Sequence, residues 1–420
     1  MKLLISPWGN PYGWKKVTYA FGKEVVKSST SLRILQEGIK PDKTVIIGLD
    51  TLAEEGESYQ EVKVKAEEKI KEYADRFGLG DYEVLIAPGI GIFPNGIFQG
   101  EALDYYYYII AKISLNLLEN PENMLNIHLD LTHGINYTTI LTYKAIKEIM
   151  EVFSIFKKVQ FRAYNADPSL PTLANKLSIN VIEDASPIPI PFAEKISQGR
   201  PLEPKSLSPE ERKELFKNEL KSIAEINNSE LSAFIGALYN GLPLALFSFY
   251  PEKSKLKKII SAVLNSYEKY VDVKKQDNKL KVVKKVKMGK DFKAYVFAYV
   301  IATSLENTKL ISSQKKEVAL GEIESLKEDL FKFDDRFKMR IAVDIYTLKK
   351  DLEGKEIKNW QIYNNVLGEK IGEPDARNFL AHSGFEKNVI EVKKENGKLL
   401  LRYNENKIKT IINFCQRGLK

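Results

Sequence analysis

Cysteine is nearly absent from this chain of 420 residues: Cys415 stands alone, so no intramolecular disulfide can form. Histidine is almost as scarce, with only His128, His133 and His382, and a Cys/His zinc centre has almost no ligands to draw on; no metal site is expected. No stretch approaches the ~20 apolar residues that cross a bilayer, so no membrane partner is expected. The opening MKLLISPWGN has one short apolar run, broken at Pro7 and Gly9, where a secretory signal needs about 7–15 apolar residues, and the expected location is cytoplasmic. Two nucleotide-binding signatures are also missing. Pro94 stands where G-x-G-x-x-G, begun at Gly89 and Gly91, needs its third glycine, and no G-x-x-x-x-G-K-[ST] occurs. An NAD enzyme and a P-loop NTPase are both poor readings.

The net charge of +8 is unevenly spread. Residues 1–200 carry 22 Lys+Arg and 25 Asp+Glu, whereas residues 201–420 carry 42 and 31. The whole positive excess lies in the second half. Such an excess favours a polyanionic partner through counterion release, although a solvated Lys/Glu surface gives the same count.

Along the first 185 residues short apolar runs alternate with helix-patterned segments. The runs are Lys2–Ser6, Thr44–Gly48, Glu83–Ala87, Asn126–Leu131, Val159–Tyr164 and Ser178–Ile182. Between them, Ser29–Gly38, Ser58–Phe77, Glu101–Leu118 and Asn136–Phe153 have helical length and pattern, with Ser29 or Thr30 as a cap for the first. Crossover helices imply a mostly parallel, doubly wound, Rossmann-like sheet, whose last two runs are too close for a helix and fit an antiparallel edge. Residues 186–210 hold six of the 17 prolines, so a stiff connector is expected at 186–208. Residues 209–420 then read as mainly helical, over Glu210–Ile226, Leu231–Leu246, Ser254–Tyr270, Phe292–Leu305, Lys316–Phe333, Met339–Leu352 and Asn406–Phe414. Two β-hairpins interrupt them, one around Asp277-Asn278 and one around Asn396-Gly397, where Asn-Gly fits a type I′ turn.

Ligands of doubly wound sheets bind beyond the carboxyl ends of the strands. Four segments there stand out: Ser6-Pro7-Trp8-Gly9-Asn10, Gly48-Leu49-Asp50-Thr51, Pro88-Gly89-Ile90-Gly91-Ile92-Phe93 and Asp130-Leu131-Thr132-His133-Gly134-Ile135-Asn136. Gly-rich loops that open a helix let backbone N–H groups reach phosphate, and Thr132-His133-Gly134 adds a hydroxyl and an imidazole suited to ribose or base. Gly-rich turns are also ordinary tight connections. His128, inside a strand, reads as a structural histidine, and Tyr105–Tyr108 as helix packing.

In the basic half the informative segment is Gly372–Gly384. Pro374 suits a first helical turn and Gly384 a helix stop. Asn378 and His382 then share a face, while Arg377 and His382 lie about 140° apart on a straight helix. Arginine grips phosphate with a fork of donors, histidine moves a proton near neutral pH, and asparagine orients either one. That kit suffices to cleave RNA without metal. R-x-x-x-x-H is a common pattern, but this match holds the only histidine of the basic half, directly before a hairpin.

With these residues in place the chain resembles, over nearly its whole length, the CARF–HEPN ribonucleases that accompany type III CRISPR systems in antiviral defence. The resemblance implies a CARF-like sensing domain at 1–185 and a helical HEPN-like domain, carrying β-hairpin insertions, at 209–420. It implies a homodimer or higher homo-oligomer that binds a cyclic oligoadenylate, with cyclic tetra-adenylate the expected activator, across its two-fold axis. The ring then activates an endoribonuclease on single-stranded RNA. Arg377, Asn378 and His382 match the HEPN motif as catalytic residues. Ligand roles carry to Trp8, Asn10, Thr132, His133, Gly134 and Asn136, and the candidate set also takes in Ser6, Gly9, Asp50, Thr51, Gly89 and Gly91. The products implied are a 2′,3′-cyclic phosphate and a 5′-hydroxyl. Two other readings remain open: a ligand-responsive nucleic-acid-binding regulator without catalysis, and a sensing half that slowly cleaves its own ring ligand.

Overall fold

The structure, a computed structural model, describes residues 1–119, 122–168, 176–277 and 279–420. Two compact units emerge, each assembled from separated segments: Met1–Ile188, Pro201–Leu220 and Ser261–Lys293 form one, and Pro189–Arg200, Lys221–Ile260 and Ala294–Lys420 the other. The units therefore differ from a single cut at residues 186–208, and the reason is strand pairing at long range. Among the described residues no helix is long and apolar enough to cross a membrane.

The first unit is built on an eight-stranded sheet. In chain order its elements are β1 (Lys2–Pro7), β2 (Val17–Phe21), β3 (Glu24–Ser28), α1 (Ser31–Ile39), β4 (Lys43–Leu49), α2 (Tyr59–Arg76) and β5 (Glu83–Ala87). There follow β6 (Gly91–Phe93), β7 (Gly96–Gln99), α3 (Ala102–Leu118), β8 (Met124–Asp130), α4 (Tyr137–Phe153), β9 (Lys158–Ala166) and β10 (Lys176–Ala185). The strand order is β3-β2-β10-β9-β8-β1-β4-β5, parallel from β9 through β5, with β10 antiparallel to β9. The expected doubly wound sheet is present and its last two runs are antiparallel, but β10 is not the expected edge, because β2 and β3 extend the sheet beyond it. Strands β1, β4 and β8 are apolar almost throughout because helices cover both faces. Thr30 caps α1 by accepting the Leu32 N–H, and Ser58 caps α2 by accepting that of Glu61. The chain leaves β1 toward β4 on one side and reaches β8 on the other, so the topological switch point lies between the ends of β1 and β8.

The hairpin β6–β7 continues into a second sheet with residues from far along the chain. Lys279–Lys284 pairs in parallel with β7, Leu280 opposite Gly96, and Val271–Gln276 pairs with Lys279–Lys284 on its other side. Only glycine fits at position 96, where a Cβ would lie 2.4 Å from the Leu280 carbonyl oxygen. Of the expected Asp277-Asn278 turn, Asn278 lies outside the described residues. Asp104, near the start of α3, accepts the Met288 N–H at 2.7 Å and the Tyr267 hydroxyl at 3.1 Å. These bonds explain why Ser261–Lys293 belongs to the first unit.

The second unit is mainly helical around buried Phe234, Phe247, Phe297 and Leu305. The expected helix Leu231–Leu246 is two helices, Asn228–Asn240 and Pro243–Ser248, because Gly241 adopts φ 65° and Pro243 starts afresh. The expected helix Glu210–Ile226 is divided between the first unit, up to Leu220, and the second, from Lys221, and breaks into shorter turns. A four-stranded sheet joins Val318–Ala319, Lys398–Tyr403, Ile390–Glu395 and Gln361–Ile362. Its central hairpin turns at Asn396 (φ 49°) and Gly397 (φ 75°), the left-handed pair that a type I′ turn requires.

Candidate functional site

Two of the four N-terminal loops meet at the switch point. Asp130, fully buried at the end of β8, accepts the Ser6 hydroxyl at 3.2 Å, the Ser31 hydroxyl at 2.7 Å and the Thr132 N–H at 3.0 Å. The Gly9 N–H donates to the His133 carbonyl at 2.8 Å and so ties the first loop to the fourth. His133 Nε2 accepts the Ser31 N–H at 3.2 Å, which fixes a neutral ring with the proton on Nδ1. Its ring stacks on Trp14 at 4.0 Å, and burial pushes its pKa down to about 4 against the pull of Asp130. Thr132 accepts the Ala166 N–H at 3.1 Å. Asn136 takes φ 41° at the start of α4, exposed, as is Asn10. Ser6, Gly9, Thr132 and His133 are thus tied into one hydrogen-bonded cluster, with Gly134 next in the loop, beside a helix N-terminus, a place that suits bases, sugars and phosphate.

The structure corrects the other candidates. Trp8 is 1% exposed and packs on Trp14 and Phe77, so it supports the loop from the core and presents no face to a ligand. Segment Pro88–Phe93 leads into the β6–β7 hairpin, so it offers no helix N-terminus. Asp50 is fully buried: it holds the Gly89 N–H at 2.7 Å, the Tyr59 hydroxyl at 3.0 Å and Lys284 Nζ at 2.7 Å. Lys284, also fully buried, donates in turn to the Gly89 carbonyl at 2.6 Å. The Gly89 N–H is therefore not free for phosphate, Thr51 is buried with its carbonyl held by Asn95, and Gly91 is a strand residue. Asp50 and Gly89 build a clamp around Lys284.

In the second unit Asp375 caps the short helix Ala376–Ala381 by accepting the Asn378 N–H at 2.8 Å. Phe379, fully buried against Tyr403 and Phe414, anchors it. The helix stops where the Gly384 N–H returns to the Phe379 carbonyl, with Gly384 at φ 84°. Proline 374 lies outside the helix, and His382 is the C-cap residue, at φ −106° and ψ 36°. Arg377, Asn378 and His382 are all exposed, and no ion pair or hydrogen bond engages the Arg377 guanidinium among the described residues.

The residue that sequence reasoning missed is Asp344, on the helix Asp335–Asp351. Its Oδ1 lies 3.1 Å from His382 Nδ1, with His382 60% exposed and Asp344 nearly buried. A carboxylate there makes Nδ1 the donor and leaves Nε2 as the lone-pair nitrogen facing outward. Burial pushes the Asp344 carboxyl above its usual range, while Ser383, His382 and Arg340 pull it back. Arg340 in turn holds the Ser383 hydroxyl at 3.1 Å and the Gly241 carbonyl at 3.1 Å, which fixes the chain beside His382. A signal existed: Asp344 stands among Ile341, Ile345 and Leu348, a carboxylate on the apolar face of a helix. Among the described residues no group of three or more His, Cys, Asp or Glu side chains could hold a metal ion.

Known proteins share much of this sequence. A family model for the CARF domain of CRISPR system endoribonuclease Csx1 matches residues 3–168, and one for its HEPN domain matches residues 321–405. The chain is 34% identical over 439 aligned positions to the CRISPR system endoribonuclease Csx1 of Methanocaldococcus jannaschii, covering 97% of this chain and 92% of that protein. A solved structure, protein VC1899 from Vibrio cholerae, aligns over 96% of this chain and 75% of its own, at 8% identity and a TM-score of 0.23.

Proposed function

From the premise that this chain belongs to the Csx1 family of CRISPR-associated CARF–HEPN endoribonucleases, we propose that it cuts single-stranded RNA when a cyclic oligoadenylate, four units in our reading, binds a homodimer at the switch-point loops. The observation that carries the catalytic half of this reading is the Asp344–His382 contact beside exposed Arg377 and Asn378, inside the HEPN match.

The chemistry follows from the groups present. A ribose 2′-OH attacks the adjacent phosphorus as His382 Nε2 takes its proton. The P–O5′ bond breaks, and the 5′-oxygen receives a proton, from the imidazolium or from water. A 2′,3′-cyclic phosphate and a 5′-hydroxyl result. Arg377 stabilises the charge gathering on the phosphoryl oxygens, Asn378 positions a partner, and Asp344 holds His382 in the required tautomer. Proton transfer supplies roughly 10²–10⁴ in rate, and one aimed charge donor about 2.7–4 kcal/mol. No step calls for a metal ion. On the sensing side the neutral His133 and the backbone of the α4 start support recognition of adenines and phosphates.

The test incubates purified protein with single-stranded RNA in excess EDTA, with and without cyclic tetra-adenylate. Cleavage that requires the ring and leaves cyclic phosphate ends is expected. Cleavage indifferent to the ring, or dependent on added Mg²⁺ or Mn²⁺, refutes the corresponding half of the proposal.

A further inference from the structure

The helix that carries Arg377 and Asn378 is capped by His382, and the next residue, Ser383, takes the left-handed conformation at φ 50°. Helices usually place glycine there, because a Cβ in that conformation crowds the backbone. Serine differs from glycine by that Cβ and a hydroxyl, so the hydroxyl is what the position has a use for. Ser383 is also fully buried, and a buried hydroxyl needs partners.

It has one on each side. Arg340 Nε donates to Ser383 Oγ at 3.1 Å, and a guanidinium can accept nothing in return, so the hydroxyl hydrogen is left to donate elsewhere. It goes to the Asp344 carboxylate and opposes the upward push of burial on that group. Arg340 is itself fixed from behind: its Nη2 donates to the Asn240 and Gly241 carbonyls, and its guanidinium lies 5.2 Å from the centre of the Phe337 ring. Asp344 Oδ1 then meets His382 Nδ1 at 3.1 Å. The bonds run in one direction, from Arg340 through Ser383 to a carboxylate that faces the imidazole as an acceptor. The other ionisable groups of the cavity beside His382 have partners of their own: Tyr363 donates to Asp351 at 2.7 Å, Lys387 lies 3.6 Å from Glu369, and Glu386 accepts the Asn388 N–H at 3.0 Å. Without the hydroxyl, Asp344 loses a donor that favours its ionised form. A protonated Asp344 offers O–H to Nδ1 and moves the proton of the neutral ring to Nε2, the nitrogen that cleavage needs empty.

We propose that Ser383 is a positioning residue of the cleavage reaction: its hydroxyl, held by Arg340, keeps Asp344 as the acceptor that fixes the His382 tautomer. The proposal rests on the RNA-cleaving reading above and extends its machinery to the residue after His382.

Ser383→Ala and Ser383→Gly both remove the hydroxyl, but only glycine relieves the left-handed backbone, so the glycine variant should be the more stable of the two. Single-turnover cleavage at saturating RNA and ring ligand should nonetheless fall roughly 3- to 10-fold in both, with the RNA concentration for half-maximal rate unchanged. In an Asp344→Asn background the same substitutions should cost less than about twofold, because no carboxylate remains to be held. Cleavage by Ser383→Gly within about twofold of wild type overturns the proposal. So does a loss that follows melting temperature across the two variants, or one equally large beside Asp344→Asn. If alanine prevents folding, the glycine variant carries the test alone. The tautomer itself is read by nitrogen NMR on histidine-labelled protein in alkaline buffer, where the chain has only three histidines and His382→Ala identifies the relevant pair of signals. Ser383→Gly should bring the two His382 nitrogen shifts closer together, as the ring exchanges between tautomers, and unchanged shifts overturn the proposal. That readout needs no cleavage. If the unmodified protein cuts no RNA under any condition, the catalytic reading fails, and the nitrogen shifts still decide whether Ser383 holds the tautomer.

Discussion

Replacing Asp344 by asparagine separates the chemistry of His382 from the stability of its surroundings. The carboxylate meets His382 Nδ1 at 3.1 Å, and a hydrogen bond to a charged group is worth about 1.5–3 kcal/mol. Because His382 is 60% exposed, water screens the pair and the lower end applies, which corresponds to about a tenfold loss of rate. The assay is a single-turnover cleavage rate at saturating RNA and ring ligand, so that weaker binding drops out. Stability should move the other way. Burial raises the Asp344 carboxyl, so its folded form holds a proton to higher pH than the unfolded chain does, and ionising it costs folding free energy as pH rises. Asp344→Asn should therefore melt at or above the wild-type temperature near neutral pH, with the advantage shrinking as pH falls below the carboxylate range. A rate within about twofold of wild type, or a rate loss that tracks a lower melting temperature, would refute the positioning role.

Two further outcomes test the corrected assignments in the first unit. Trp8→Ala should destabilise by about 3–5 kcal/mol, read as a lowered urea midpoint, because a buried indole leaves a cavity; an unchanged midpoint with weakened ring binding would return Trp8 to the ligand site. Lys284→Met should cost about 3–5 kcal/mol by stranding the Asp50 carboxylate, and adding Asp50→Asn should recover most of that loss; additive losses in the double variant would show that the pair is not coupled.

Where the sequence was legible, apolar runs did the informing. Strands β1 and β4 are buried along nearly their whole length, and continuous Leu/Ile/Val runs have few other readings; helices α1 and α2 announced themselves with Thr and Ser caps, and α3 and α4 with a 3.6-residue stripe. The hairpins β2–β3 and β6–β7 escaped because they are short, carry glycine and charge, and draw their register from partners elsewhere in the chain. Nothing local to Gly96 or Leu280 says that they meet. The candidate N-terminal loops were half legible for the same reason: Thr132-His133-Gly134 does follow a strand, but Asp50 and Gly89 look ligand-facing until Lys284 is found between them. Arg377 and His382 could be named from spacing, whereas Asp344 acts from 38 residues away.

Because Ser261–Lys293 completes the sheet begun by β7, this protein resists being cut into exchangeable parts. A gene fragment ending near residue 200 would encode β7 with one edge bare and Asp50 charged and unpaired in the interior, a combination that favours association of edges over folding. A single crossover between two such genes within the proline-rich stretch gives each chimera a sensor whose last strand and buried lysine come from the other parent. Recombination between relatives is therefore tolerated only where both parents agree at Gly96, Leu280, Asp50 and Lys284, or where several crossovers move the inserted segment together with the sheet it finishes.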